Sequence, residues 1–299
     1  MSRSHRTLFV ALAFLLSVAT PALRLTAASG PGSQREVTDS TGHKVMVPKQ
    51  PTRVLSLCTT ATDTAVRLGV AERLAGIDEY SRVVPGASNL PVLGKGSAIS
   101  REQVIARGID LAFVWWFQED AARMLEGLGV PAVRIRCGRM KEVPETIRCV
   151  GDCLGAKDAA EALAARSDRE IAALAERSAT NGPRVYVELY TAYKTSGRDS
   201  FLNDLVRLAG GRNVAEEGAG NVLFSAEQLL KSDPEVVILM SGFGTPEEFT
   251  LRAGLGGLKA VRTGRIHVMD RYWLVAGAGA TENVARLKAW LAGEISKQE

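Results

Sequence analysis

The chain has 299 residues, 46% of them hydrophobic, and a mean hydropathy of +0.02. This is enough apolar material for about two packed domains and too much for a disordered chain. Without residues 1–28, which carry Arg3, Arg6 and Arg24 and no acids, 34 basic residues face 33 acidic ones. A near-neutral chain with no basic run excludes nucleic acid as its partner.

Residues 1–28 read as a signal peptide. Arg3, His5 and Arg6 precede the apolar run Leu8–Ala19, and the small pair Ala27-Ala28 follows. The run falls short of the ~20 residues that a membrane-spanning helix needs. The first cysteine is Cys58, so a lipid anchor is not expected. The mature protein is expected to be periplasmic, soluble and monomeric. Four cysteines there allow up to two disulfides, although Cys149 and Cys153, four apart on one helix, are badly placed to bridge each other. The spacings match no zinc site, and only His43 and His267 follow residue 28.

Glu36–Asp39 and Val45–Pro48, around Thr41-Gly42, read as a hairpin. Arg53–Leu57 reads as a strand, Thr60–Leu68 as a helix and Leu74–Ile77 as a strand. Helix Arg101–Arg107, strand Leu111–Trp115, helix Gln118–Leu128 and strand Ala132–Ile135 follow. Such alternation means a parallel sheet covered by helices. A helix with Val143, Ile147, Val150 and Leu154 on one face comes next. Lys157–Ala179, the segment richest in helix formers, is stopped by Asn181-Gly182-Pro183. Strand Arg184–Leu189, helices Phe201–Ala209 and Ala226–Leu230, and strands Val236–Met240 and Arg265–Met269 lead to a last helix, Glu282–Ile295. The fold class is therefore α/β: an N-terminal lobe over 35–155, a single long connecting helix over 156–180, and a C-terminal lobe over 183–299.

A repeat marks the two lobes as similar. Ser100-Arg101-Glu102-Gln103-Val104-Ile105 and Ser225-Ala226-Glu227-Gln228-Leu229-Leu230 share the form Ser-x-Glu-Gln-apolar-apolar. In both, serine and glutamine stand at capping-box spacing, and an acid, Asp110 or Glu235, then opens a buried strand. The helix macrodipole alone favours a carboxylate in a first turn. Two copies, one per lobe, suggest a two-fold partner whose arginines grip both lobes at once.

Ligands of open α/β sheets bind beyond the carboxyl ends of the strands. Those ends collect Cys58-Thr59-Thr60, Asp78-Glu79-Tyr80, Trp115-Trp116-Phe117 and Arg136–Arg139 in the first lobe. In the second they collect Tyr190–Tyr193, Thr195–Arg198, Ser241-Gly242-Phe243 and Arg271-Tyr272-Trp273. Aromatics are 6% of the chain, so their gathering here points to a large flat or greasy ligand with anionic edges. Tyr80, Trp115, Trp116, Tyr190, Tyr193, Arg198, Tyr272 and Trp273 are the candidate ligand-binding residues. Arg136, Arg139 and Arg271 are further candidates for meeting negative charge.

No catalytic constellation is expected, and no resident metal or cofactor. A Gly-x-Ser-x-Gly elbow is absent. Gly94-Lys95-Gly96-Ser97 lacks the earlier glycine of a phosphate loop, and Gly218-Ala219-Gly220 and Gly277-Ala278-Gly279 lack the third glycine of a dinucleotide fingerprint.

From about Val37 onward the chain resembles the class III periplasmic substrate-binding proteins of ABC importers for iron–siderophore, haem and vitamin B12. The likeness is carried by Val37-Thr38-Asp39 with Gly42, Pro51–Leu57, Ala75–Ser81, Thr195–Ser200 and Leu208–Asn213. The resemblance implies two lobes on one long helix, modest closure, and docking of Glu102 and Glu227 into arginine pockets of the paired permease subunits, the partners being the importer's permease and its ATPase. Against the vitamin B12-binding member, Tyr80, Trp115 and Trp273 stand where aromatics contact the corrinoid, but Gly94-Lys95-Gly96 replaces a pocket indole. Haem binders of the family place a tyrosine on iron, which makes Tyr80, Tyr190, Tyr193 and Tyr272 candidates. The expected function is capture of an iron chelate, siderophore or haem, with vitamin B12 or another corrinoid as the alternative. An exported enzyme acting on a metal chelate and a sensor using the same fold are the readings from other classes.

Overall fold

The computed structural model describes residues 34–177 and 181–293. The segment expected to be a signal peptide lies outside them, as do residues 178–180 and 294–299. The N-terminal lobe holds a six-stranded sheet in the order Ala98–Ile99, Val92–Lys95, Leu74–Asp78, Val54–Ser56, Leu111–Trp115, Ala132–Ile135. All neighbours are parallel except the edge pair Ala98–Ile99 with Val92–Lys95. The C-terminal lobe holds a four-stranded parallel sheet in the order Arg212–Asn213, Arg184–Glu188, Val236–Met240, Ile266–Met269. The expected hairpin is Gln34–Thr38 against Lys44–Pro48.

Strand alternation divides the core. Val54 and Phe113 belong to an apolar cluster that runs through both lobes to Trp290. Their neighbours Leu55 and Val114 face the opposite side with Leu125, because successive side chains point to opposite faces. In the second lobe Tyr186, Leu239 and Phe249 form the corresponding outer cluster.

The connecting helix spans Lys157–Glu176, about 30 Å at 1.5 Å per residue. It lies along the helix Val143–Cys153, where Gly151 permits close approach: a Cβ there would stand 2.1 Å from that of Ala160. Arg148 ties the two helices through Glu161 and Asp168. The last helix is Ala280–Ala292, two residues earlier at its start than the sequence suggested. It stops at Gly293, whose φ of +77° supplies the left-handed turn that ends many helices. All four cysteines are free thiols, which corrects the allowance for disulfides.

The acids that follow the repeated helices are structural. Asp110 accepts from the amides of Thr52 and Arg53 at 2.8 and 3.1 Å, and Glu235 accepts from the amide of Arg184 at 3.0 Å. Each thus clamps the start of its lobe's first sheet strand. Arg53 and Arg184, at those strand starts, reach back to the terminal carbonyls of the helices Arg101–Ala106 and Ala226–Ser232. Lys259 first, and then the Arg184 amide, hold the Glu235 carboxyl down at about 2. Since the folded value lies below the ordinary 4.5, this stabilisation is complete above that pH and is lost as pH falls through about 2. The melting-temperature difference between wild type and Glu235→Gln is expected to shrink steadily from pH 4.5 downward. A pH-independent difference would remove the assignment.

Candidate functional site: an aromatic cleft between the lobes

A cavity of about 580 Å³ opens between the carboxyl ends of the two sheets. Its N-terminal wall comes from Thr59 and Thr60, Tyr80, Val83, Trp115-Trp116-Phe117 and Cys137. Its C-terminal wall comes from Tyr190, Phe201, Met240, Phe243, Arg271 and Leu274–Ala276.

The strand Leu111–Trp115 delivers the main aromatic face. Trp115 and Phe117 are nearly parallel at 6.2 Å, and Trp116 stands edge-on to both at 5.9 and 4.9 Å. The turn is pinned by Gln118, whose side chain accepts from the Trp115 amide at 2.9 Å. Phe117 is 61% exposed and Trp116 39%, so the turn presents a contiguous exposed aromatic patch, the kind that marks interaction surfaces.

Across the cleft Tyr190 and Phe243 meet edge to face at 5.4 Å. Tyr190 and Tyr193 adopt φ of +59° and +65°, rare for bulky residues and costing about 1–3 kcal/mol each. The loop is held in this shape by Glu188, which is buried and was not singled out by the sequence. Glu188 accepts from the Tyr193 amide at 2.8 Å and forms a two-point pair with Arg252, both contacts at 2.7 Å. Such a pair is among the stronger charge-assisted bonds.

Among the described residues that line the cavity, Arg271 is the one that is charged. Its guanidinium lies 5.4 Å from the Tyr80 ring of one lobe and 5.8 Å from the Phe243 ring of the other. Among the described residues no carboxylate pairs with it. The cleft thus offers flat aromatic area with one guanidinium on its wall, and the Lys95 and Lys194 ammoniums lie 5.8 and 5.3 Å from the Tyr80 and Tyr190 rings. No group of three histidine, cysteine or acidic side chains that could hold a metal ion occurs among the described residues.

Four of the eight residues predicted to bind ligand line this cavity: Tyr80, Trp115, Trp116 and Tyr190. The other four do not. Tyr193 is half-buried against Arg252, 5.4 Å from its guanidinium. Arg198 is exposed, and its backbone bonds to Gly218. Trp273 is 8% exposed and packs on Trp290 at 4.5 Å. Tyr272 is 4% exposed and donates to Asp63 at 2.7 Å; burial, then the Asp63 charge, push its phenol up. Of the other arginines, Arg139 is spent on Asp204, with contacts at 2.8 and 2.9 Å, and Arg136 is exposed off the cavity wall. Phe117, Phe243, Thr59 and Thr60 were visible in the sequence only as strand-end neighbours. Val83, Phe201 and Leu274–Ala276 gave no signal, since apolar residues carry none until a fold gathers them.

The Gly277-Ala278-Gly279 segment serves the interlobe junction. A Cβ at Gly277 would stand 2.4 Å from Asp63 Oδ2, and one at Gly279 2.2 Å from Tyr272 Oη. Gly94-Lys95-Gly96 is a strand end and turn in which Lys95 pairs with Glu79 at 3.2 Å.

Glu102 and Glu227 occupy the second positions of their helices, exposed and away from the cavity. The second helix has the full reciprocal box between Ser225 and Gln228. In the first, Ser100 accepts from the Gln103 amide, but its hydroxyl donates to Glu102 at 2.6 Å. That bond holds the Glu102 carboxyl below its usual range.

A family model described as periplasmic binding protein matches residues 54–272. The chain is 21% identical over 248 residues to the uncharacterized ABC transporter substrate-binding lipoprotein YvrC of Bacillus subtilis, covering 78% of this chain and 77% of that one. It is 26% identical over 210 residues to the cobalamin-binding protein of Halobacterium salinarum, covering 67% of this chain and 57% of that relative; it thus spans little more than half of that protein. The periplasmic haem-binding protein RhuT from Roseiflexus sp. RS-1 superposes with a TM-score of 0.73 at 24% identity, covering 81% of this chain and 98% of the other. That likeness is one of fold.

Proposed function

This chain belongs to the periplasmic binding protein family, and we propose that as the solute-binding component of an ABC importer it captures an iron porphyrin of the haem type and delivers it to a permease. The family is one of substrate-binding proteins rather than enzymes. The observation that carries the ligand reading is the cleft itself, in which two aromatic walls face each other with one guanidinium between the Tyr80 and Phe243 rings. Flat rings recognise a macrocycle by stacking area. One guanidinium on the cavity wall suits a ligand whose charge lies along one anionic edge. Tyr80 and Tyr190, 40% and 47% exposed at the cleft, are the phenols available to the iron. Delivery would follow docking of Glu102 and Glu227 on the paired permease subunits.

A corrinoid is the second reading, favoured by the 26% identity to the cobalamin-binding protein of Halobacterium salinarum. Titration of the mature protein with haemin, a ferric siderophore and cyanocobalamin, followed by visible absorbance, separates these readings. Saturable haemin binding is expected, with about tenfold weaker binding in Trp115→Ala, the scale of one lost aromatic contact. Saturation by cyanocobalamin alone would transfer the assignment to the corrinoid. Binding of neither macrocycle would sink both readings.

A further inference from the structure

The helix Thr59–Arg67 points its N-terminus at the cleft, and its first two residues lie in the cavity wall. An N-terminus exposes unpaired amides and the positive end of the helix dipole. Here nothing strong covers it. The N-cap is Cys58, whose side chain makes no capping hydrogen bond, and the first turn holds no acid. The amides of Thr60 and Ala61 meet the Cys58 sulfur, a weak acceptor.

A second, independent observation comes from the hydroxyls. Thr62 donates to Ser56 Oγ at 2.8 Å and Thr64 donates to the Thr60 carbonyl at 2.8 Å. Among the described residues Thr60 Oγ1 has no partner, although the residue is 1% exposed. A buried hydroxyl is ordinarily satisfied, so an orphan on the wall of a cavity marks a place where something else supplies the bond.

We propose that the first turn of this helix is an anion subsite of the cleft, in which the Thr60 hydroxyl and the Thr59 amide bind a carboxylate on the ligand's edge. Arg271, on the facing wall of the same cavity, adds the compensating charge. The identity of that carboxylate rests on the porphyrin reading; the subsite itself rests on the helix and the orphan hydroxyl.

The test uses two ligands that differ only in charge, gallium protoporphyrin IX and its dimethyl ester, titrated by fluorescence quenching. Thr60→Val keeps shape and removes the orphan, so folding should be undisturbed. It is expected to weaken the dicarboxylate about tenfold, the scale of a hydrogen bond to a charged group, and to leave the ester unchanged. Thr60→Ser, which keeps the hydroxyl, is expected to bind both like wild type. An equal loss for both ligands, or none for the dicarboxylate, overturns the subsite. If wild type binds neither porphyrin, the ligand reading fails but the subsite is still tested with inorganic phosphate. The Thr59, Thr60 and Ala61 amide resonances should then shift saturably in wild type and not in Thr60→Val. No shift in wild type overturns it.

Discussion

Uptake through the cognate importer is expected to be abolished when Glu102 and Glu227 are both replaced by alanine, while ligand affinity stays within about twofold of wild type. Neither residue touches the cavity, and both stand exposed in the first turn of a short helix. Their setting is duplicated beyond the glutamate. In each helix the next apolar residue, Val104 or Leu229, is buried and anchors the helix to its sheet. The one after it, Ile105 at 57% exposure or Leu230 at 39%, lies three residues from the glutamate and so on the same face. Each lobe therefore presents a carboxylate beside an apolar side chain. Truncating one partner of a desolvated charge pair costs about 2–5 kcal/mol, so losing two removes several decades of docking affinity. Uptake by right-side-out vesicles or whole cells, beside ligand titration of the purified variant, checks this. Wild-type uptake by the double variant would end the docking assignment.

Asp63→Ala is expected to be the most destabilising single change, by about 3–5 kcal/mol, because it strips a buried acid from the junction between the lobes. Asp63 is 1% exposed on the helix Thr59–Arg67. It accepts from Tyr272 Oη at 2.7 Å and from the Gly279 amide at 3.0 Å, and Arg67 stands 3.3 Å away. Arg67 also bonds Tyr272 at 3.0 Å and grips Glu282 through two contacts of 2.7 and 2.9 Å. Removing the carboxylate leaves a buried phenol and a buried amide without their acceptor. At about 2–4 °C per kcal/mol for a chain of this size, the melting temperature should fall by about 10 °C, and Asp63→Asn should lose less because it still accepts one bond. A calorimetric melt within about 1 °C of wild type would show that the clamp contributes nothing.

This clamp and the Arg139–Asp204 pair both join residues of the two lobes. Neither was legible beforehand. Asp63 and Tyr272 are 209 positions apart and Arg139 and Asp204 are 65 apart, and no local pattern announces a partner at that range.

Local order was readable where burial writes a period. Leu111–Trp115, Ala132–Ile135 and Val236–Met240 lie where the sequence placed them, since a strand covered on both faces is an unbroken apolar run. The serines at 100 and 225 do cap their helices, because an N-cap hydroxyl answers an amide only three residues away; Ser200, which was not expected as a cap, caps a third. The short pairs Val92–Lys95 with Ala98–Ile99 and Lys194–Ser196 with Asn221–Leu223 escaped, being too brief and too polar to show a period.

The sequence by itself thus determined the alternating α/β order, the two-lobed repeat, the exposed glutamates and the gathering of aromatics at strand ends. Only the tertiary structure decided which of those aromatics face the cleft. Trp115 and Trp116 end a strand whose turn is held by a neighbour three residues on, so their direction is local. Trp273 and Tyr272 sit on a single 3-10 turn, and Trp290 and Asp63, brought from other helices, draw them into the interior. A side chain's direction at a strand end is set by whatever packs behind it, and that is a property of the fold rather than of the neighbouring residues.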